Sequence, residues 1–167
     1  MLAIFAVGVL WGKLSPSTSA KLLGTDEMVQ VGIVVKDIEK ASRAYAEILG
    51  MEVPAWFLTD TVDKAHTEFR GKPSEARAKL AFFKLKNITL ELIEPVGGPS
   101  TWREFLEEHG QGVHHVAFEV KGMDEKIRLL AERGIPLLQK GDYEGGRYAY
   151  VDGTGRLAVI LELLENF

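Results

Sequence analysis

An internal repeat is the feature that most constrains how this chain can fold. The segment VQVGIVVK, which begins at Val29, matches HHVAFEVK, which begins at His114, at an offset of 85 residues. A second pair, ITLELIE from Ile88 and VILELLE from Val159, matches at an offset of 71 residues. All four segments have the β-branched and apolar content typical of strands. We therefore interpret the chain as a tandem duplication of one supersecondary unit.

Each copy also contains a helix and room for two more strands. The apolar spacing predicts helices over Ile38–Leu49, with Asp37 as N-cap, and over Met123–Arg133. The remaining strands are expected near residues 67–70 and 79–84 in the first copy and 137–140 and 147–151 in the second. The two offsets differ by 14 residues, and we assign this extra length to the polar loop Thr59–Ala78.

The predicted fold class is therefore α+β, with two βαβββ modules that build a curved mixed sheet. We expect a single domain over residues 28–167, made of modules 28–96 and 112–167. A short helix over 100–109 joins them, because Thr101 and Glu104 have the spacing of a capping box.

The first 27 residues form an N-terminal extension that can be interpreted in two ways. Residues 1–12 are apolar, and small residues follow near position 20, as in a secretory signal. Alternatively, the run is a strand or helix that packs on the domain or on a partner. It is too short for a stable membrane span. We expect a cytoplasmic protein by default and an exported one if residues 1–20 are a signal peptide.

Composition narrows the possible functions. The net charge of −4 and the pI near 5.6 argue against nucleic-acid binding by bulk electrostatics. The chain has no cysteine, which excludes thiolate zinc sites, iron–sulfur clusters and a cysteine nucleophile. Any transition-metal site must therefore use the four histidines together with carboxylates and amides.

The repeat relates four polar residues in pairs. Gln30 and His115 hold equivalent places on the first strand of each module, and Glu91 and Glu162 on the last. Both glutamates interrupt apolar strands, and a buried carboxylate needs a cation, a metal or several hydrogen bonds. If the modules pack about a pseudo-twofold axis, the four side chains converge on one mixed oxygen and nitrogen site. Taken singly, either glutamate could face solvent and the histidine could be a core residue.

The doubled module resembles the vicinal oxygen chelate superfamily over about residues 28–165. This superfamily includes glyoxalase I, methylmalonyl-CoA epimerase, extradiol dioxygenases and antibiotic-resistance proteins. The stretches VGIVVKDIEKA, LELIEP, FLEEHGQGVHHVAFEV and VILELLE are most similar to the methylmalonyl-CoA epimerase-like branch. That branch usually has histidine at the first ligand position, whereas this chain has Gln30, which is similar to glyoxalase I of the eukaryotic type.

The resemblance implies a divalent metal ion held by Gln30, Glu91, His115 and Glu162, with His114 on the opposite face of its strand. Mn²⁺, Co²⁺, Ni²⁺, Zn²⁺ and Mg²⁺ all suit such ligands, whereas an iron(II) dioxygenase usually needs two histidines. Glu162 would act as general base, with Glu91 opposite it. The implied activity is that of an isomerase, epimerase or lyase acting next to a carbonyl, in a homodimer. The alternative is a non-catalytic small-molecule binding module.

Candidate pocket residues are less specific. Trp56, Phe83, Tyr148 and Tyr150 could line an aromatic pocket, although core packing explains them nearly as well. Lys140 and Arg147 could bind an anionic substrate. Auxiliary acid–base groups could come from Glu68 and Asp142, although each is also typical of a solvated surface charge.

Overall fold

The computed structural model describes residues 21–167, and a single ten-stranded mixed sheet organises them. The segment that we interpret as a possible signal peptide, residues 1–20, lies outside the described residues. The strands are β1 (Met28–Val34), β2 (Phe57–Leu58), β3 (Glu68–Phe69), β4 (Lys72–Pro73), β5 (Ala76–Lys84), β6 (Thr89–Gly97), β7 (Gly112–Glu119), β8 (Leu137–Tyr143), β9 (Gly146–Val151) and β10 (Ile160–Asn166). The helices are α1 (Ile38–Leu49), α2 (Val62–Ala65), α3 (Thr101–His109), α4 (Met123–Ala131) and α5 (Thr154–Leu157).

The sheet confirms the predicted α+β class and the doubled arrangement. Its strand order is β2-β5-β6-β1-β7-β10-β9-β8-β3-β4. At the centre, β1 and β7 pair antiparallel and join the two modules. The last strand of each module lies parallel to its first strand, β6 beside β1 and β10 beside β7.

The central register follows the internal repeat. Gly32 on β1 lies between Glu91 on β6 and His115 on β7. At the equivalent place in the second module, Ala117 on β7 lies between Glu162 on β10 and Gln30 on β1. The four polar residues therefore surround two small residues at the middle of the sheet, which leaves space above the strands for their side chains.

The polar loop of the first module does not stay within its own module. The strand expected near residues 67–70 is present as β3, Glu68–Phe69. The strand there, β3, pairs with β8 at the far edge of the second module. On the first module's side, β5 pairs with β6 and with the two-residue edge strand β2. The extra length of the first module thus forms a crossover that extends the opposite edge of the sheet.

Helices α1 and α4 pack on one face of the sheet, and α3 packs on the other. Asp37 caps α1 by accepting a hydrogen bond from the backbone of Lys40, and Gly50 ends the helix in the left-handed conformation at φ 64°. The cap of α3 is Ser100, one residue before the predicted Thr101. Because side chains alternate along a strand, Leu92 packs in the core beneath α1 and its neighbour Glu91 lies on the opposite face.

Among the helices of residues 21–167, none combines the length and the apolar character needed to traverse a bilayer.

Candidate metal centre

The structure brings the four predicted site residues together on one face of the sheet. The amide nitrogen of Gln30 lies 2.8 Å from Glu91 Oε2 and 3.2 Å from Glu162 Oε2. His115 Nε2 lies 3.0 Å from Glu162 Oε2 and 3.4 Å from Glu91 Oε2. The ligand atoms offered by the two glutamates and the histidine are all within 4.8 Å of one another, so a single ion could contact all three.

The donor set fits a divalent cation on charge as well as on distance. His115 is fully buried, and Glu91 and Glu162 are 5% and 3% exposed. Burial, with a further contribution from the Glu162 charge, raises the pKa of Glu91 well above its usual value. Two buried carboxylates this close repel each other unless a positive charge lies between them. A divalent ion would supply that charge.

Gln30 adds the fourth side chain of the cluster. Its amide nitrogen donates to both carboxylates, and its side chain is also buried. The other end of this amide is an oxygen, which is the atom that could ligate a metal. The glutamine therefore suits both a metal-free state, in which its nitrogen bridges the two carboxylates, and a neutral ligand position.

A β-bulge places a second histidine beside the cluster. On β7, His115 pairs with Gly32 but Val113 pairs with Ile33, so His114 is an extra residue between the two pairs. We expected His114 on the opposite face from His115, and this was wrong. The two Nδ1 atoms lie 3.0 Å apart. Burial, together with the nearby His115, lowers the pKa of His114 well below its usual value.

Glycine at position 32 makes room for the His115 ring. A Cβ atom at this position would lie 1.9 Å from His115 Cε1, far inside van der Waals contact. The imidazole therefore rests directly on the backbone of β1. This close approach explains why a strand that is otherwise rich in β-branched residues contains a glycine at this point.

A cavity of about 540 Å³ opens above the cluster. Gln30, Glu91 and Glu162 form part of its wall, so the cluster is accessible from the cavity. Its aromatic and larger apolar wall residues come from both modules and from α3: Phe57, Leu58, Leu80, Phe82, Trp102, Tyr143, Tyr148, Tyr150 and Leu164. Two of these pair directly with the site glutamates across the sheet, Phe82 with Glu91 and Tyr150 with Glu162.

Of the predicted pocket residues, only the two tyrosines lie in the cavity wall. Tyr148 and Tyr150 line it, and the Tyr150 hydroxyl accepts a hydrogen bond from Trp102 Nε1 at 3.1 Å. Phe83 packs in the core beneath α1, and its neighbour Phe82 lines the cavity instead. Trp56 lies on the surface, with the Lys79 ammonium 5.1 Å from its ring centre.

The two predicted anion-binding cations are engaged in ion pairs. Lys140 Nζ lies 3.3 Å from Glu68, the first of the two suggested auxiliary acids. Arg147 contacts Glu165 at 2.6 Å and Asp124 at 3.0 Å. The second suggested acid, Asp142, lines the cavity and pairs with His66 Nδ1 at 2.8 Å.

Comparison with known proteins assigns the chain to a superfamily. Residues 29–151 match the model of the Glyoxalase/Bleomycin resistance protein/Dioxygenase superfamily, and the chain belongs to this superfamily. It is 30% identical over 138 residues to the uncharacterized protein YqjC of Bacillus subtilis (strain 168), which covers 81% of this chain and 89% of that protein.

One further relative and one solved structure of similar fold are named as epimerases. The chain is 31% identical over 119 residues to the ethylmalonyl-CoA/methylmalonyl-CoA epimerase of Cereibacter sphaeroides, across 71% of this chain and 78% of that enzyme. The fold is similar to the crystal structure of methylmalonyl-CoA epimerase from Mycobacterium tuberculosis, with a TM-score of 0.59 and 22% identity. That alignment covers 91% of this chain and 94% of the other.

Proposed function

We propose that this protein is a divalent-metal-dependent isomerase or epimerase that removes a proton from the carbon next to a carbonyl group. The observation that carries the proposal is the buried group of Glu91, His115 and Glu162, whose ligand atoms lie within 4.8 Å of one another at the wall of a cavity. Gln30 is the fourth ligand in this proposal. A lyase of the glyoxalase I kind would use the same first step.

The glutamates carry the proton in this mechanism. When bound, a divalent ion would polarise the carbonyl group and stabilise the negative charge that develops on its oxygen. Glu162 accepts the proton from the neighbouring carbon, with Glu91 placed opposite it. Return of a proton to the other face of that carbon gives the epimer, and return to the adjacent carbon gives the isomer. His115 has no exposed surface, so its role is to ligate and to orient the carboxylates.

The relatives support the reaction class. Curated relatives and solved structures with this fold include enzymes named as methylmalonyl-CoA epimerases, and one structure is described as a complex with methylmalonyl-CoA. The name epimerase denotes inversion at a carbon centre. The substrates to test are therefore the CoA thioesters named for these enzymes, the glutathione adduct of methylglyoxal and uncharged hydroxy-ketones.

The experiment is solvent deuterium exchange by protein loaded with Mn²⁺, Co²⁺, Ni²⁺, Zn²⁺ or Mg²⁺. We expect metal-dependent incorporation of deuterium next to a carbonyl, and at least a ~100-fold loss in Glu162→Gln. The matched control is Glu119→Gln, an exposed glutamate on the neighbouring strand β7. A folded, metal-loaded protein that binds carbonyl compounds without any exchange would instead be a non-catalytic binding module.

We also infer a homodimer. Several apolar side chains from the last turn of α1 through β2 are exposed, including Ile48 at 81%, Val53 at 53% and Phe57 at 51%. Apolar side chains concentrated in one segment are typical of a surface that a partner covers. Light scattering coupled to gel filtration tests this, because a mass of one chain at micromolar concentration would contradict it.

A further inference from the structure

The charged side chains in the cavity wall all have the same sign. Within residues 21–167, the charged residues that line the cavity are Glu91 and Glu162 beside the candidate metal centre and Asp60, Asp142 and Glu144 on the exposed part of the wall. One divalent ion would offset the two buried glutamates. The three exposed carboxylates, which we call the acidic rim, would still give the entrance a negative potential.

Two basic side chains beside the acidic rim pair with its carboxylates. Lys64 Nζ lies 3.8 Å from Asp60, and His66 Nδ1 lies 2.8 Å from Asp142. The two cations that the sequence suggested for an anionic substrate are paired with carboxylates outside this cavity. Lys140 pairs with Glu68, and Arg147 pairs with Glu165 and Asp124. A phosphate group at the rim would have to displace a carboxylate to pair with Lys64 or His66.

The remaining wall suits an uncharged molecule with hydroxyl groups. Tyr148 and Tyr150 both line the cavity, and phenols are neutral near pH 7. The Tyr150 oxygen accepts from Trp102, which leaves its own proton for donation. Aromatic rings that carry such neutral donors can cover the C–H faces of a ring while they bind its hydroxyl oxygens. The volume of about 540 Å³ is ample for a six-carbon molecule.

We propose that the substrate is an uncharged polyhydroxy ketone, such as a ketose or a cyclic hydroxy-ketone, and that the acidic rim discriminates against phosphate esters and CoA thioesters. This inference rests on the proposed function and specifies its substrate class. The chemistry balances without a co-reactant, because the proton that Glu162 takes from the carbon next to the ketone is replaced by one proton from Glu162 or from water. The carbon skeleton and its oxidation level do not change.

A matched pair of ligands tests whether the acidic rim discriminates against a phosphate ester. Dihydroxyacetone and dihydroxyacetone phosphate share the same ketone and differ only by the phosphate. We expect the metal-loaded protein to bind dihydroxyacetone at least ~10-fold more tightly than its phosphate ester in low salt. Added salt should narrow this difference, because it screens the acidic rim. D-fructose and methylmalonyl-CoA extend the comparison to a larger neutral ketone and to the thioester.

Variants that remove charges from the acidic rim test whether the rim causes the weaker binding of the phosphate ester. In Asp142→Asn combined with Glu144→Gln, the ratio of the two affinities should shift toward the phosphate ester by about three- to tenfold. The control Glu125→Gln removes one charge from the exposed face of α4, outside the cavity, and should leave the ratio unchanged.

The possible outcomes separate this inference from the function on which it rests. Tighter binding of the phosphate ester or of methylmalonyl-CoA than of the neutral ketones would overturn the substrate class, even if deuterium exchange still occurred. If no ligand exchanges deuterium but the neutral ketone still binds more tightly, the proposed reaction is overturned. The discrimination by the acidic rim would then still hold. Ligand-observed NMR ranks the affinities whether or not exchange occurs.

Discussion

His114 Nδ1 lies 3.0 Å from His115 Nδ1, and both rings are buried. One of these nitrogens must donate a proton and the other must accept it. When His115 Nδ1 is the donor, His115 Nε2 has the free lone pair that a metal requires, and it is the atom that faces the two glutamates. In that arrangement His114 Nδ1 accepts the proton and holds its neighbour in the tautomer that a metal requires. At the equivalent place in the first module, the repeat has Val29.

Removal of this contact should weaken metal binding. We expect His114→Phe to lower the affinity for Zn²⁺ or Co²⁺ by about 10- to 100-fold, because the orienting partner of a ligating histidine typically contributes this much. Competition with a chelator measures the affinity, and the ¹⁵N shifts of His115 report its tautomer. His66→Gln removes an exposed histidine and is the control. Unchanged affinity and an unchanged His115 tautomer in His114→Phe would contradict this role.

Substitution of Gly32 should disrupt the same site through the backbone. Gly32→Ala adds a Cβ that would meet the His115 ring at 1.9 Å, so the ring or the strand must move. We expect a loss of about 1–3 kcal/mol in the free energy of unfolding and a loss of metal binding. Thermal and denaturant unfolding measure the first effect. Gly155→Ala is the matched control, because its Cβ would meet no atom within 4 Å. Equal stability of the two variants would refute the close packing.

The buried carboxylate pair predicts a stability that depends on pH in the metal-free protein. The pKa of Glu91 is raised in the folded state above its ordinary value of 4.5. Between these two pKa values the unfolded chain binds fewer protons than the folded chain, so stability falls as pH rises above about 4.5. Glu91→Gln removes this penalty, and the metal-free variant should unfold at a higher temperature than the wild type near pH 8.

In the presence of metal, Glu91→Gln should unfold at a lower temperature than the wild type. A divalent ion should raise the unfolding temperature of the wild type but not that of Glu91→Gln, because the variant lacks a ligand. Differential scanning fluorimetry with and without the ion measures both halves of the prediction. A metal-free Glu91→Gln that is less stable than the wild type at every pH would be incompatible with a repulsive pair.

A different glutamate should stabilise the protein at neutral pH. Glu165 accepts hydrogen bonds from Arg147 and from the backbone at the start of α4, and the Arg147 contact lowers its pKa below 4.5. Its stabilisation is therefore present above about pH 4.5 and lost as the pH falls through the lowered pKa. Glu165→Gln should cost about 1–2 kcal/mol at pH 7. Urea unfolding at pH 7 and at pH 3 measures the change, which should shrink at the lower pH, whereas Glu119→Gln should show no cost at either.

Much of the fold could be predicted because the duplication supplies long-range information that a single strand pattern lacks. The offsets that relate Gln30 to His115 and Glu91 to Glu162 placed four distant residues in equivalent positions. Packing of two copies about one axis then brings equivalent residues together, which is why the structure contains the cluster.

The residues whose positions or partners were not predicted depend on bulges, strand register and long-range pairing, which periodicity does not encode. The position of His114 follows from a bulge, which breaks the alternation on which the prediction relied. The exchange of Phe83 for Phe82 follows from the register with Glu91, a cross-strand relationship. The partners of Lys140 and Arg147 are distant in sequence, so neither ion pair could be derived from local pattern.

The central claim is that Glu91, His115 and Glu162 hold one divalent ion. The most direct measurement is the amount of divalent metal per chain after equilibrium dialysis of the full-length protein, for the wild type, Glu91→Gln, Glu162→Gln and Glu119→Gln. We predict about one ion per chain for the wild type and Glu119→Gln, and a large loss in the two site variants. A folded wild-type protein that retains no ion, or site variants that retain as much as the wild type, would contradict the account.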